Sequence, residues 1–188
     1  MEGIVLSPHD DAWADGFAHV RDSVWPAVED VATRIDHVGS TAVRGLVAKP
    51  ILDVDVVVPD EAMLGVAGTR LAGLGYRSVG DLGVRGREAF EAPPGSTLPA
   101  HHLYLVVDGS RPHLDHVLLR DLLRGDPVAR TRYEGVKRDA AGAVGGDVEV
   151  YTARKAAIIA ELLARARAAR GLAPVDYWSP TPAELGEA

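Results

Sequence analysis

Two aspartates, Asp53 and Asp55, interrupt an apolar run that otherwise reads Ile-Leu, Val and Val-Val-Val from Ile51 to Val58. If this run is a strand, its side chains alternate between faces, so both acids point the same way. Two neighbouring carboxylates repel each other and lose hydration, a cost that a divalent cation offsets. Mg²⁺ (or Mn²⁺) takes carboxylate oxygens together with substrate phosphates. Upstream stands His37-Val38-Gly39-Ser40-Thr41, a Gly-Ser turn whose backbone N–H groups are open to a phosphate. Together these residues predict a metal–nucleotide site, with Asp53 and Asp55 on the metal and Gly39, Ser40 and Thr41 on the phosphates.

A hydrophobic residue, Gly, Ser and then Asp-x-Asp on a strand resembles the core motif of the nucleotidyltransferase superfamily. Residues 36–58, DHVGSTAVRGLVAKPILDVDVVV, are similar to the GrpB family, which has that fold. The resemblance continues through Gly75-Tyr76, His101-His102-Leu103, Arg120-Asp121-Leu122-Leu123-Arg124, Tyr133-Glu134-Gly135-Val136-Lys137 and Tyr151-Thr152-Ala153-Arg154-Lys155, over roughly residues 4–167. It implies acids that hold Mg²⁺ against a triphosphate and orient an attacking hydroxyl, with a third carboxylate from a later strand. The run His102–Val107 carries no acid. Glu91, on the neighbouring run, is the best candidate, with Glu88 facing the other way. His102 stands as a substitute ligand or general base, or as an ordinary hydrogen-bonded histidine.

The expected function is therefore a Mg²⁺-dependent nucleotide-binding protein, with nucleotidyl transfer to a small molecule or protein as the implied reaction. The alternative is a non-catalytic nucleotide- or coenzyme A-related binding or regulatory module with a degenerate site, since some relatives fuse a GrpB-like domain to dephospho-coenzyme A kinase. Arg44 departs from the resemblance, since relatives usually have Pro there; it reads as a solvent-facing residue rather than one that reaches a phosphate.

An anionic ligand needs local cations, because the net charge of −7 leaves no general basic footprint for nucleic acid. Lys49 precedes a proline and so enters the acidic strand extended. Thr152 and Lys155 at the start of a last helix would make an anion site, or a cap and a solvated lysine. Lys137 and Arg120 complete the candidates, Arg120 reading better as a partner of Asp121. His113 and His116, at i and i+3, share a helix face with Arg120 and Arg124. That spacing permits zinc but looks more like a solvated polar face.

The elements that position these residues follow from periodicity. Residues 4–7 suit a short edge strand. Trp13, Phe17, Val20 and Val24 mark a helix that Pro26 ends or kinks, with helix continuing over 26–33. Strands are expected at Arg34–Val38, Ile51–Val58, Tyr76–Val79, Arg87–Ala92 and His102–Val107, with a helical turn at Val43–Val47 and a helix from Pro59-Asp60-Glu61 to about Leu74. Beyond Pro112 the chain reads as three helices, broken at Gly125-Asp126-Pro127 and Gly145-Gly146. The fold class is α/β (α+β by stricter naming), a mixed sheet flanked by helices with a C-terminal helical section. Residues 1–170 are expected to form one domain, with 112–170 as its helical section, and 171–188 a tail loose or docked by Tyr177-Trp178.

Composition narrows the class further. Of 188 residues, 47% are hydrophobic and 25% charged, which suits a globule with a sizeable core. The lack of cysteine excludes disulfides, thiolate metal sites and cysteine nucleophiles. No leader or membrane-length apolar run is evident, so the expected setting is cytoplasmic. The expected partner is a nucleotide or other phosphorylated small molecule, with no nucleic acid and no membrane.

Overall fold

The computed structural model describes residues 5–143 and 148–177. The elements run α1 (Ala12–Val28), β1 (Arg34–Val38), a single 3₁₀ turn (Ser40–Ala42), β2 (Leu52–Val58), α2 (Ala62–Gly73), β3 (Arg77–Gly80), β4 (Arg87–Glu91), β5 (His101–Val107), α3 (Arg111–Gly125), α4 (Pro127–Ala143) and α5 (Val148–Ala169). The strands form one sheet in the order β1-β2-β5-β4-β3. Only β2 and β5 are parallel; every other pair is antiparallel. This is the mixed sheet expected from helices that alternate with strands early and strands that pair directly later.

The two faces of the sheet have different chemistry. Val54, Val56 and Val58 of β2, with Leu103 and Leu105 of β5 and Phe90 of β4, pack against Val20, Val24 and Val28 of α1 and Ala67 and Leu71 of α2. The other face carries Asp53 and Asp55 and is covered by the helical section, with α3 packed on β1 and β5. The helices have their own core: Leu123, Ala129, Tyr133, Ile158 and Leu162 gather around Val43 and Leu46 from the loop before β2. That loop thus ties the two cores together.

Some boundaries differ from expectation for identifiable reasons. Helix α1 passes through Pro26 but stops at Val28. A turn follows, with Val31 and Ala32 N–H both donating to Val28 O, and at Thr33 the backbone N–H already donates to Val57 O (2.8 Å), so the chain has joined the sheet where helix was expected. The helical turn lies at Ser40–Ala42, not Val43–Val47; after it the chain makes a non-helical turn, Leu46 N–H donating to Val43 O at 3.2 Å, that buries Val43 and Leu46 among the helices. The expected strand at 4–7 is reduced, among the described residues, to a bridge between Ser7 and Ala48. Helix α5 spans Val148–Ala169, so Thr152 lies inside it and is not its N-cap; Thr152 and Lys155 instead face a cleft from within the helix. The expected break at Gly145-Gly146, and Trp178, Pro180 and Pro182 of the tail, lie outside the described residues. Tyr177 docks on α3, its hydroxyl donating to Asp115 Oδ1 at 2.8 Å.

Because the loop before β2 feeds the helical core, the helices and the sheet should unfold together. Leu162→Ala empties a fully buried position and should cost about 2–5 kcal/mol. In urea, helical circular dichroism and the fluorescence of Trp13 and Trp25 in α1 should shift to lower denaturant in step. Loss of helix signal with the tryptophan transition unmoved would show the helical section to be independent.

Candidate functional site

The site is built on contact between the Gly-Ser turn and the acidic strand. Gly39 adopts φ +68°, the left-handed region that favours glycine. A Cβ there would lie 2.0 Å from Asp53 Oδ2. No other residue fits while Asp53 holds its place, so the turn and the first acid are packed backbone to carboxylate. This also puts Ser40 at the edge of the strand that carries the acids.

Strand register then places a partner beside each acid. Asp53 lies opposite His102 of β5, and Asp55 opposite Tyr104. Across the antiparallel β1, Asp55 faces Asp36. Directly paired residues share a face, so on β1 and β2 this side of the sheet carries three acids: Asp36, Asp53 and Asp55. Each meets an imidazole. His102 Nδ1 is 3.2 Å from Asp53 Oδ1, and His113 Nε2 is 3.4 Å from Asp36 Oδ2. His116 Nδ1 lies 3.0 and 2.9 Å from the two oxygens of Asp55, which is fully buried. A carboxylate only accepts, so Nδ1 carries the proton. Burial alone would push the His116 imidazole down, but Asp55 outweighs it and holds the ring above its ordinary value. Asp36 is further tied by Arg34 at 3.0 Å.

A cleft of about 340 Å³ opens beside Asp53, lined by Ser40, Lys49, His102, Tyr104, Lys137, Tyr151, Thr152 and Lys155 among others. Three of its residues are lysines, and Asp53 is its one acid. Lys137 is 2% exposed and donates to Ser40 Oγ (2.9 Å) and Val47 O (2.5 Å). The Tyr133 hydroxyl is also bonded to Ser40. Lys49 and Lys155 place their ammonium groups 4.7 and 4.4 Å from the Tyr151 ring centroid, within the range of a cation–π contact. Burial lowers all three. Lys137 falls to about 7, helped by Lys155, and Lys155 to about 8, helped by Lys49, with Asp53 opposing both shifts. Charges that must be desolvated near one another favour the neutral form.

The structure thus gathers Gly39, Ser40, Lys49, Asp53, His102, Lys137, Thr152 and Lys155 around one cleft. Asp55 lies beneath, and Thr41 is buried behind the turn, its hydroxyl 3.0 Å from His37 Nε2. Two candidates stand elsewhere. Glu91 is exposed on β4, two strands from Asp53, and is paired with Arg77. Arg120 is held by Asp121 (2.9 Å) and donates to His37 O (3.1 Å). The face expected to be solvated is the docking face of α3: His113 is buried, His116 bonds Asp55, and Arg124 donates to Ala42 O at 2.9 Å. Its polar residues meet a polar sheet face, which inverts the usual sign of an amphipathic helix. Spacing alone linked His113, His116, Arg120 and Arg124; what they face was not readable from it. Asp36 was missed too, because its position opposite Asp55 depends on strand register. Arg44 is exposed, 3.6 Å from Asp11.

The donor set does not fit a resident divalent ion. Both Asp55 oxygens are engaged by His116, and Tyr104 occupies the β5 position beside Asp55. Among the described residues no group of three or more His, Cys, Asp or Glu is arranged to hold a metal.

The two strand acids should therefore respond differently to neutralisation. Asp55→Asn removes the charged partner of His116 inside the protein and should cost about 1–3 kcal/mol. Asp53→Asn, beside the open cleft, should change stability by less than about 1 kcal/mol. Urea melts of both variants at pH 6 check the contrast, and equal losses would contradict this placement.

Comparison with known proteins agrees with the architecture. Residues 3–165 match the family described as GrpB protein. A UPF0157 protein of Streptomyces coelicolor is 32% identical over 169 residues, 89% of this chain and 86% of that one. A dephospho-CoA kinase of Mycolicibacterium paratuberculosis is 29% identical over 80% of this chain but only 42% of its own. The crystal structure of conserved protein GrpB from Enterococcus faecalis superposes with a TM-score of 0.77 at 25% identity, covering 89% of this chain and 99% of the other. The Cid1 poly(U) polymerase with MgGTP bound superposes at 0.52 with 13% identity, over 71% and 44% of the two chains, a likeness of fold. The sheet and its helices form a nucleotidyltransferase-like fold, and the chain belongs to the GrpB family.

Proposed function

We propose that this chain binds a phosphorylated small molecule of the nucleotide class in the cleft beside Asp53, and that the cleft binds without transferring. The observation that carries this reading is the convergence of Lys49, Lys137 and Lys155 on a space lined by a single acid. Burying like charges together costs free energy, and an incoming phosphate offsets it. Ser40, one hydrogen bond from Lys137, lies within reach of the same anion. The cleft volume of about 340 Å³ is at the low end of the ~300–1,000 Å³ usual for small-molecule sites. It suits the phosphate end of a nucleotide, with the remainder projecting outward. Nucleotidyl transfer with Mg²⁺, implied by the motif, would need a third carboxylate near Asp53 and Asp55. Asp36, Glu91 and Tyr104 do not supply one, because the first two are paired elsewhere and the third is not an acid. The kinase relative favours coenzyme A-related ligands as a second class to test.

A thermal-shift panel of nucleoside triphosphates, coenzyme A and pyrophosphate tests the proposal. At a hundredfold the dissociation constant a ligand should add about 2.7 kcal/mol. Lys155→Glu should weaken binding at least tenfold, about 1.4 kcal/mol, whereas Arg138→Glu on the exposed face of α4 should leave it unchanged. No shift with any phosphorylated compound at millimolar concentration would contradict the proposal.

A further inference from the structure

The three acids that β1 and β2 place on the helix-covered sheet face are each met by an imidazole: Asp36 by His113, Asp53 by His102 and Asp55 by His116. The last pair stands apart. Asp55 has no exposed surface, and one nitrogen of His116 spans both of its oxygens, at 3.0 and 2.9 Å. In a two-acid metal site those oxygens would face the ion. The ring also has an aromatic neighbour and a docked helix behind it. Tyr104 packs at 5.5 Å between centroids. One and two turns further along α3, Arg120 and Arg124 fasten the helix to His37 O and Ala42 O. These contacts hold the backbone that carries His116 over Asp55.

We infer that His116 takes the place beside Asp55 that a divalent ion would fill, so that the cleft accepts its phosphorylated ligand free of metal. The ligand half of this inference rests on the phosphate reading of the cleft; the part concerning His116 does not. The groups that can carry the positive charge a phosphate needs belong to the chain itself: Lys49, Lys137 and Lys155. Asp55 acts as a positioning residue: it holds His116, and through it the docked face of α3. The ligand class is narrowed to phosphate esters and anhydrides bound as free anions, not as magnesium complexes.

Two measurements on the intact chain test this. First, Mn²⁺ binding is followed by electron paramagnetic resonance in the absence of ligand. The wild-type protein should bind no Mn²⁺ below millimolar concentration. His116→Ala, or His116→Asn if the first does not fold, should gain at least tenfold in Mn²⁺ affinity, and adding Asp55→Asn should remove the gain. Micromolar Mn²⁺ binding by wild type that Asp55→Asn abolishes would overturn the inference, and this arm needs no His116 variant to fold. Second, stabilisation by pyrophosphate is compared in EDTA and in excess Mg²⁺. Equal or greater stabilisation in EDTA is expected; stabilisation only with Mg²⁺ would overturn the inference. No stabilisation in either medium overturns the phosphate reading, while the manganese arm still decides the role of His116.

Discussion

Three lysine side chains share one half-enclosed cleft with a single carboxylate, and the account of this protein depends on that imbalance. An ammonium group in water is well hydrated; Lys137, 2% exposed, is not. Its two acceptors, Ser40 Oγ and Val47 O, are neutral. With Lys155 and Lys49 nearby, burial brings Lys137 to about 7 and Lys155 to about 8. Lysines at these values are partly uncharged near neutral pH, and an anion arriving beside them restores the charge. Asp53 opposes the effect but does not cancel it. The free protein is therefore under electrostatic tension that a phosphate would relieve.

The rest of the fold holds these groups together. Glycine at position 39 lets the turn press against Asp53, which fixes where Ser40 stands. Ser40 in turn receives Lys137 from α4, so one hydrogen bond joins the sheet to the helical section. Beneath the cleft, α3 docks through polar groups: His116 on Asp55, Arg120 on His37 O, Arg124 on Ala42 O. Polar docking of this kind is directional. It sets the helix at one register over the strand, where an apolar contact would tolerate sliding. Val43 and Leu46, buried among the helices, pull the loop before β2 into the same arrangement.

Much of this was legible in the sequence. The bounds of β1 and the direction of Asp53 and Asp55 follow from alternation. The Gly-Ser turn was marked by its place ahead of the acidic strand, and Lys49, Lys137 and Lys155 by the need for cations in an acidic protein. What failed did so for definable reasons. His113 and His116 looked solvated because a run of His and Arg at helical spacing usually faces water. The rule inverts when the facing sheet is itself charged, and no local signal in α3 reports that. Thr152 looked like a cap because threonine commonly is one, yet α5 starts at Val148, a turn earlier. Glu91 was chosen from the neighbouring strand, but two strands of separation and Arg77 take it out of reach. Asp36, opposite Asp55, needed the register of β1 and β2 to be seen.

The most direct measurement is the proton uptake that accompanies ligand binding. Burial pushes Lys137 down to about 7 and Lys155 down to about 8, which leaves both partly neutral at pH 8. A phosphate beside them raises both values, and the lysines must then take protons from the buffer. Calorimetric titration with pyrophosphate at pH 8, in buffers of different ionisation enthalpy, should show net proton uptake that disappears at pH 6, where both lysines are already charged, after correction for the titration of pyrophosphate itself. Binding with no proton linkage at pH 8 would mean that the ligand does not meet these lysines, and would contradict the account.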